Sequence, residues 1–147
     1  TLIELMFVVV IIGVLFAIAL PSYQGIMKRN IENKIQQEIL KIAADLEKFK
    51  ARNYNYKNYS VSGVDMPAGY ILGVYDIDDT SKNLIADVQG RGWFIQVKPP
   101  SDDPEAYYYL MSSDGLKCKS ILESDVDFKC EPQSSGSDGS LSGSQPW

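Results

Sequence analysis

The chain has 147 residues, a formal net charge of −5, two cysteines and no histidine. That length supports one domain, filled by about one helix and one sheet. The acidic balance argues against a dedicated nucleic-acid binder, whose mark is a basic face, and the lack of His removes the commonest general base and zinc ligand.

The stretch Thr1 to Tyr23 (TLIELMFVVVIIGVLFAIALPSY) organises the rest. From Leu5 to Leu20 it holds sixteen residues without a polar side chain. As a helix these rise about 24 Å, and Thr1–Tyr23 about 34 Å, enough to cross a bilayer core of about 30 Å. A buried core helix and a signal peptide are the competing readings. A signal peptide opens on basic residues and closes on a small-residue cleavage site. Here no basic residue precedes Lys28, and the run continues into an amphipathic pattern. The composition therefore predicts a membrane segment over residues 1–23. Glu4 is its one charge. A carboxylate in an apolar span is costly in lipid and tends to be functional, while one in a first helical turn is favoured by the helix dipole. Residue types alone leave both readings standing.

TLIELM, then an apolar run containing Gly13, then ALPSY, resembles the N-terminus of type IV pilins and of the related type II secretion pseudopilins. The match covers about the first 25 residues without a gap. In that family the mature chain opens on an N-methylated Phe directly before Thr-Leu-Ile-Glu. The resemblance therefore implies a Phe ahead of Thr1, and a short basic leader removed before that Phe by a prepilin peptidase. It implies that Glu4 meets the N-terminal amine of a neighbouring subunit. The physics is sensible, because a carboxylate and an ammonium left unpaired in an apolar medium each cost several kcal/mol, and pairing them relieves both. It implies further that the helix between Gly13 and Pro21 loses helical structure in the filament and is kinked in a lone subunit. Pro interrupts the backbone ladder and Gly lowers helix propensity.

After Pro21 the apolar residues Ile31, Ile35, Ile39, Ile42, Leu46 and Phe49 are spaced 4, 4, 3, 4 and 3 apart. That is one face of a 3.6-residue helix, predicting an amphipathic helix over 24–52 that packs on a sheet. With residues 1–23 it makes a rod of about 78 Å. The first half has nothing in its own chain to bury against, so it needs lipid or copies of itself.

Residues 53–69 (NYNYKNYSVSGVDMPAG) form a polar loop with three tyrosines, either an interface or rings folded onto the sheet edge. In pilins this loop lies on the subunit flank. Strands are predicted at Tyr70–Ile77, Leu84–Gln89, Gly92–Lys98 and Ala106–Ser112, each rich in β-branched or aromatic residues. Gly90-Arg91-Gly92 reads as a tight turn. Trp93, Ile95 and Val97 alternate with Phe94, Gln96 and Lys98, which puts the first set toward the helix. The fold class is α+β, a long helix on a four-stranded antiparallel sheet, as in the pilin fold. Asp76, Asp78, Asp79 and Asp87 invite a calcium reading, which pseudopilins of the major class strengthen. The spacing is only a fragment of a calcium loop, with the Gly and Glu of an EF-hand missing, and a solvated acidic turn is the simpler reading.

Ser113-Asp114-Gly115 predicts a hairpin turn leading into LKCKSILESDVDFKCEP. Beyond the membrane the compartment is oxidising, so Cys118 and Cys130 are expected to form a disulfide. This resembles the C-terminal disulfide region of type IV pilins and counts against a pseudopilin, whose major subunit lacks the bridge. Within 70–132, Lys117, Lys119 and Lys129 flank the cysteines as DNA-uptake pilins would have them, but Glu123, Asp125, Asp127 and Glu131 are interleaved. No nucleic acid is expected as a partner. The tail, 133–147, is Ser- and Gly-rich and predicted flexible. The resemblance to pilins whose C-terminal Ser is modified makes its serines candidates for glycan, although the last residue here is Trp147; that Trp offers to tack the tail onto a neighbouring surface, against a disordered end.

No nucleophile–base pair, phosphate loop or metal cluster is visible, so neither enzyme activity nor a cofactor is expected. The resemblance implies a structural pilus subunit, held in the inner membrane as a precursor and then assembled with copies of itself, other pilins and the assembly machinery into a surface filament for adhesion, motility or DNA uptake. A minor or tip pilin acting as a binding module, and a secretion pseudopilin, are the alternatives.

Overall fold

A computed structural model describes residues 1–132, 134–135 and 141–147, with the side chains of 19–22, 24, 134–135 and 141–142 outside the description. The chain falls into two units, Thr1–Gln36 and Gln37–Trp147. The first is helix throughout after Thr1. It belongs to α1, Leu2–Asn53, whose helical assignment is continuous through Gly13 and Pro21. Glu4 lies in the first turn and Lys50 and Arg52 in the last, the order of charges that the helix dipole favours.

The second unit is an α+β layer. The rest of α1 contributes Ile39, Ile42, Ala43 and Leu46 to the core, all buried. Against it stands a four-stranded antiparallel sheet in sequence order: β1 (Ile71–Asp76), β2 (Trp93–Lys98), β3 (Tyr108–Ser112) and β4 (Lys117–Ser120). Val74 pairs with Ile95, Val97 with Tyr109, and Leu110 with Cys118. The pleat sends Trp93, Ile95 and Val97 to the helix side, as their alternation predicts.

Phe94 on the opposite side is not solvated. It packs with Leu110, Cys118 and Val126, backed by Tyr75, Tyr108, Phe128 and Cys130. The Phe128 ring stands edge-on to Tyr75 (5.3 Å) and Phe94 (5.5 Å). A short 3-10 turn, Glu123–Val126, carries this second layer, and the Cys118–Cys130 bridge ties it to β4. β2 is therefore buried from Trp93 to Val97.

One predicted strand is corrected. Leu84–Gln89 forms turns, and the fourth strand is β4 instead. Asn83 is the physical reason: its side-chain carbonyl accepts the amides of Ile85 (3.2 Å) and Ala86 (3.1 Å), which diverts the backbone from a ladder. Leu84 and Val88 are still buried, so the apolar signal was real and its geometry different. The hairpin between β3 and β4 turns at Ser113–Gly115 as predicted, with Ser112 donating to the Leu116 carbonyl at 3.0 Å.

Gly90 sits where only glycine fits. Its φ is +65°, and a Cβ there would lie 2.6 Å from the Lys57 amide nitrogen. Its carbonyl accepts the Tyr56 amide at 2.9 Å, which pins the 53–69 loop to this corner. Gly90→Ala is expected to cost about 2 kcal/mol or more, from the positive φ and the backbone clash together. The check is a lowered midpoint in urea unfolding at unchanged slope.

Candidate functional site

The apolar run is the largest unexplained surface. Fourteen large apolar side chains between Leu2 and Ile18 are exposed, from Ile12 at 47% to Leu2 at 92%. They point to every side of the helix, so no amphipathic face can hide them. Among the described residues, no helix is long and apolar enough to cross a membrane. The side chains of Ala19–Ser22, where the run ends, lie outside that description.

Glu4 is the one charged side chain between Leu2 and Ile18. Its Oε2 accepts from the Thr1 amine at 3.2 Å, with both groups about four-fifths exposed. An ion pair so exposed contributes little, about 0–1 kcal/mol. The carboxylate is thus presented on an apolar helix with nothing buried to hold it there. Pro21, named with Gly13 as the point of a helix break, has its side chain outside the described residues; its backbone is helical.

The three tyrosines of the 53–69 loop divide. Tyr54 is 91% exposed. Tyr56 is buried and donates to Glu47 Oε1 at 2.7 Å, with Lys50 over its ring; burial, then the Glu47 bond, pushes its phenol up. Tyr59 meets Phe49 edge-on at 5.5 Å. Two of the three therefore fold back onto α1.

The acidic residues that invite a calcium reading are engaged by protein groups. Asp76 is buried and accepts the amides of Gly90 (3.0 Å), Asp78 (3.1 Å) and Asp79 (3.2 Å). Arg91 pairs with Asp78, Lys82 with Asp79 and Lys57 with Asp87. Bonds from Ser81 and then Lys82 hold Asp79 below the usual carboxylate range, and Lys57 does the same for Asp87. What these exposed pairs contribute is present above the ordinary carboxylate pKa and fades as pH falls through the depressed values. Among the described residues no cluster of His, Cys, Asp or Glu is built to hold a metal.

Near the cysteines, Lys129 pairs with Glu131 at 2.5 Å. Lys119 lies 4.2 Å over the Tyr107 ring and Lys117 4.4 Å over the Trp147 ring. The three lysines that flank the cysteines have partners in their own chain. The bridge joins Cys118 and Cys130 with an S–S distance of 2.06 Å.

The composition of the tail predicts a flexible segment. Gln133 and residues 136–140 lie outside the described residues. The rest is paired: Ser134–Ser135 (β5) runs antiparallel to Leu141–Ser142 (β6), and Gln145 exchanges both backbone bonds with Lys119 at 2.8 Å each. Trp147 donates to the Cys118 carbonyl at 2.8 Å and stands edge-on to Tyr109 at 5.8 Å. The terminal aromatic was the signal for a tacked tail, and the sequence left open which surface it meets. Compared with family models, with curated proteins and with solved structures, the chain finds no match in any of the three.

Proposed function

We propose that the chain is a type IV pilin, a structural subunit that polymerises through its N-terminal helix into a surface filament. The observation that carries this reading is the exposed apolar helix bearing a single carboxylate. Leaving fourteen such side chains in water costs on the order of 10–25 kcal/mol, given about 1.5–3 kcal/mol for each one fully buried and that most are a little over half exposed. Packing copies of the helix side by side removes that cost. Glu4 supplies the register, because a carboxylate placed in the apolar bundle is stable only opposite a cation, and the amine that opens a neighbouring subunit is that cation. Before assembly the run Leu5–Leu20 rests in the inner membrane. The unit from Gln37 onward stays outside the bundle, and its disulfide suits an oxidising exterior.

The bridge also favours a pilin over a secretion pseudopilin. The experiment is electron microscopy of material sheared from the cell surface, with mass spectrometry of any filaments. Thin filaments built mainly of this chain, with a methylated Phe ahead of Thr1, are expected. Filaments holding only traces of it point to a minor or tip subunit. A chain that stays in the envelope without extracellular filaments overturns the reading in favour of a pseudopilin.

A further inference from the structure

The segment 143–147 makes an unusual set of bonds. Gly143 donates its amide to Asp125 Oδ2 at 3.1 Å. Ser144 donates its amide (2.8 Å) and its hydroxyl (2.6 Å) to the Glu131 carbonyl. Gln145 exchanges its two backbone bonds with Lys119, and the Trp147 indole donates to the Cys118 carbonyl. Each of these partners lies between Cys118 and Glu131, the loop closed by the disulfide and the residue just past it. Lys119 belongs to β4, whereas Glu131 follows Cys130, and the disulfide joins the two segments covalently, beside a Ser120 hydroxyl bond to Asp125 at 2.8 Å.

We propose that residues 143–147 form a strap over the edge of β4 whose seat is held in place by the Cys118–Cys130 bridge. The strap covers an edge that would otherwise offer unpaired backbone groups at Lys119 to any extended chain, and Trp147 closes the sheet beside Tyr109. When the bridge opens, Glu131 loses its covalent tether to β4, while Asp125 keeps the Ser120 hydroxyl bond at 2.8 Å and Val126 keeps its packing in the Phe94 cluster. The strap must then order the Glu131 end of the loop as well as itself. A dithiol reductant opens the bridge: the Cys118–Cys130 S–S bond breaks, two S–H bonds form with two electrons and two protons from the reductant, and the reductant closes its own disulfide. Cys130 is half-buried, so the bridge is not sealed away from such a reagent. Because linkage is reciprocal, the strap must stabilise the bridge by the same factor that the bridge stabilises the strap.

Two measurements in detergent test this, the first on the full chain and the second on a truncated one. Hydrogen exchange is followed at the Lys119 and Gln145 amides, before and after reduction with dithiothreitol. Exchange there should rise about tenfold or more, the usual size of such coupling, while β2 (Trp93–Lys98) stays protected. Separately, the chain lacking residues 143–147 is equilibrated with dithiothreitol. Its thiol–disulfide equilibrium should shift toward thiol by a similar factor. Unchanged exchange at Lys119 and Gln145 on reduction overturns the proposal. Should reduction also strip protection from β2, the second measurement decides, since the truncated chain keeps its bridge at the start; an unshifted equilibrium there overturns it.

Discussion

Cells carrying Glu4→Ala will make the protein in normal amounts and display few or no filaments. The Glu4 side chain is about four-fifths exposed, so its loss leaves the folded unit unchanged. In a bundle of apolar helices the same loss strands a neighbour's ammonium. Removing one partner of a buried pair costs about 3–5 kcal/mol, and at 1.4 kcal/mol per tenfold that weakens each subunit contact by more than about a hundredfold. Glu4→Gln leaves the ammonium equally unpaired and should fail alike. The check is filament counting alongside urea unfolding. Normal filament numbers for Glu4→Ala would remove the charge-pairing account, and a lowered unfolding midpoint would mean that Glu4 serves the fold.

The second large effect lies at Asp76. Asp76→Ala is expected to destabilise the unit Gln37–Trp147 by about 4 kcal/mol, since hydrogen bonds to a charged acceptor contribute about 1.5–3 kcal/mol each and orphaned buried donors add their own penalty. Three amides converge on this carboxylate, and the Gly90 amide among them is buried. Gly90 in turn holds the Tyr56 amide, so the loss spreads into the 53–69 loop. Asp76→Asn keeps an acceptor of the same shape and should cost about half as much. Denaturant unfolding followed by near-ultraviolet dichroism reads both, because Tyr56 and Trp93 report on this corner. Equal stability of Asp76→Ala and the natural chain would show that the three bonds contribute nothing net.

Asp76 also shows why part of the site escaped the sequence. Read with Asp78 and Asp79 it left a cation loop open beside the simpler solvated acidic turn, because spacing reports only which carboxylates lie near each other. It cannot report that the backbone turns to feed one of them three amides, nor that Arg91 and Lys82 arrive beside the other two. The α1 stripe from Ile39 to Leu46 was legible because 3.6-residue periodicity is local. β1, β2 and β3 were legible because alternation and aromatic content are local too. Leu84–Gln89 carried the same signal and failed because Asn83 captures the next amides. β4 was hidden by its composition: Lys117-Cys118-Lys119-Ser120 has no β-branched residue, and its strand geometry comes from the hairpin and the bridge. The bridge itself followed from two cysteines in a chain read as exported. The strap needed knowledge of where Cys118 and Glu131 meet, which no local pattern holds.

β2 lies between two packed layers, with α1 on one side and the Phe94 cluster on the other. A strand in that position has no face on which substitutions can accumulate unnoticed. Divergence in this protein is therefore channelled away from its sheet centre, into the 77–92 and 99–107 connections and the outward face of α1. A change at Phe94 would be tolerated only with a matching change in volume at Leu110 or Val126. Variants drawn from a population should show these three positions drifting together while Tyr54 drifts alone.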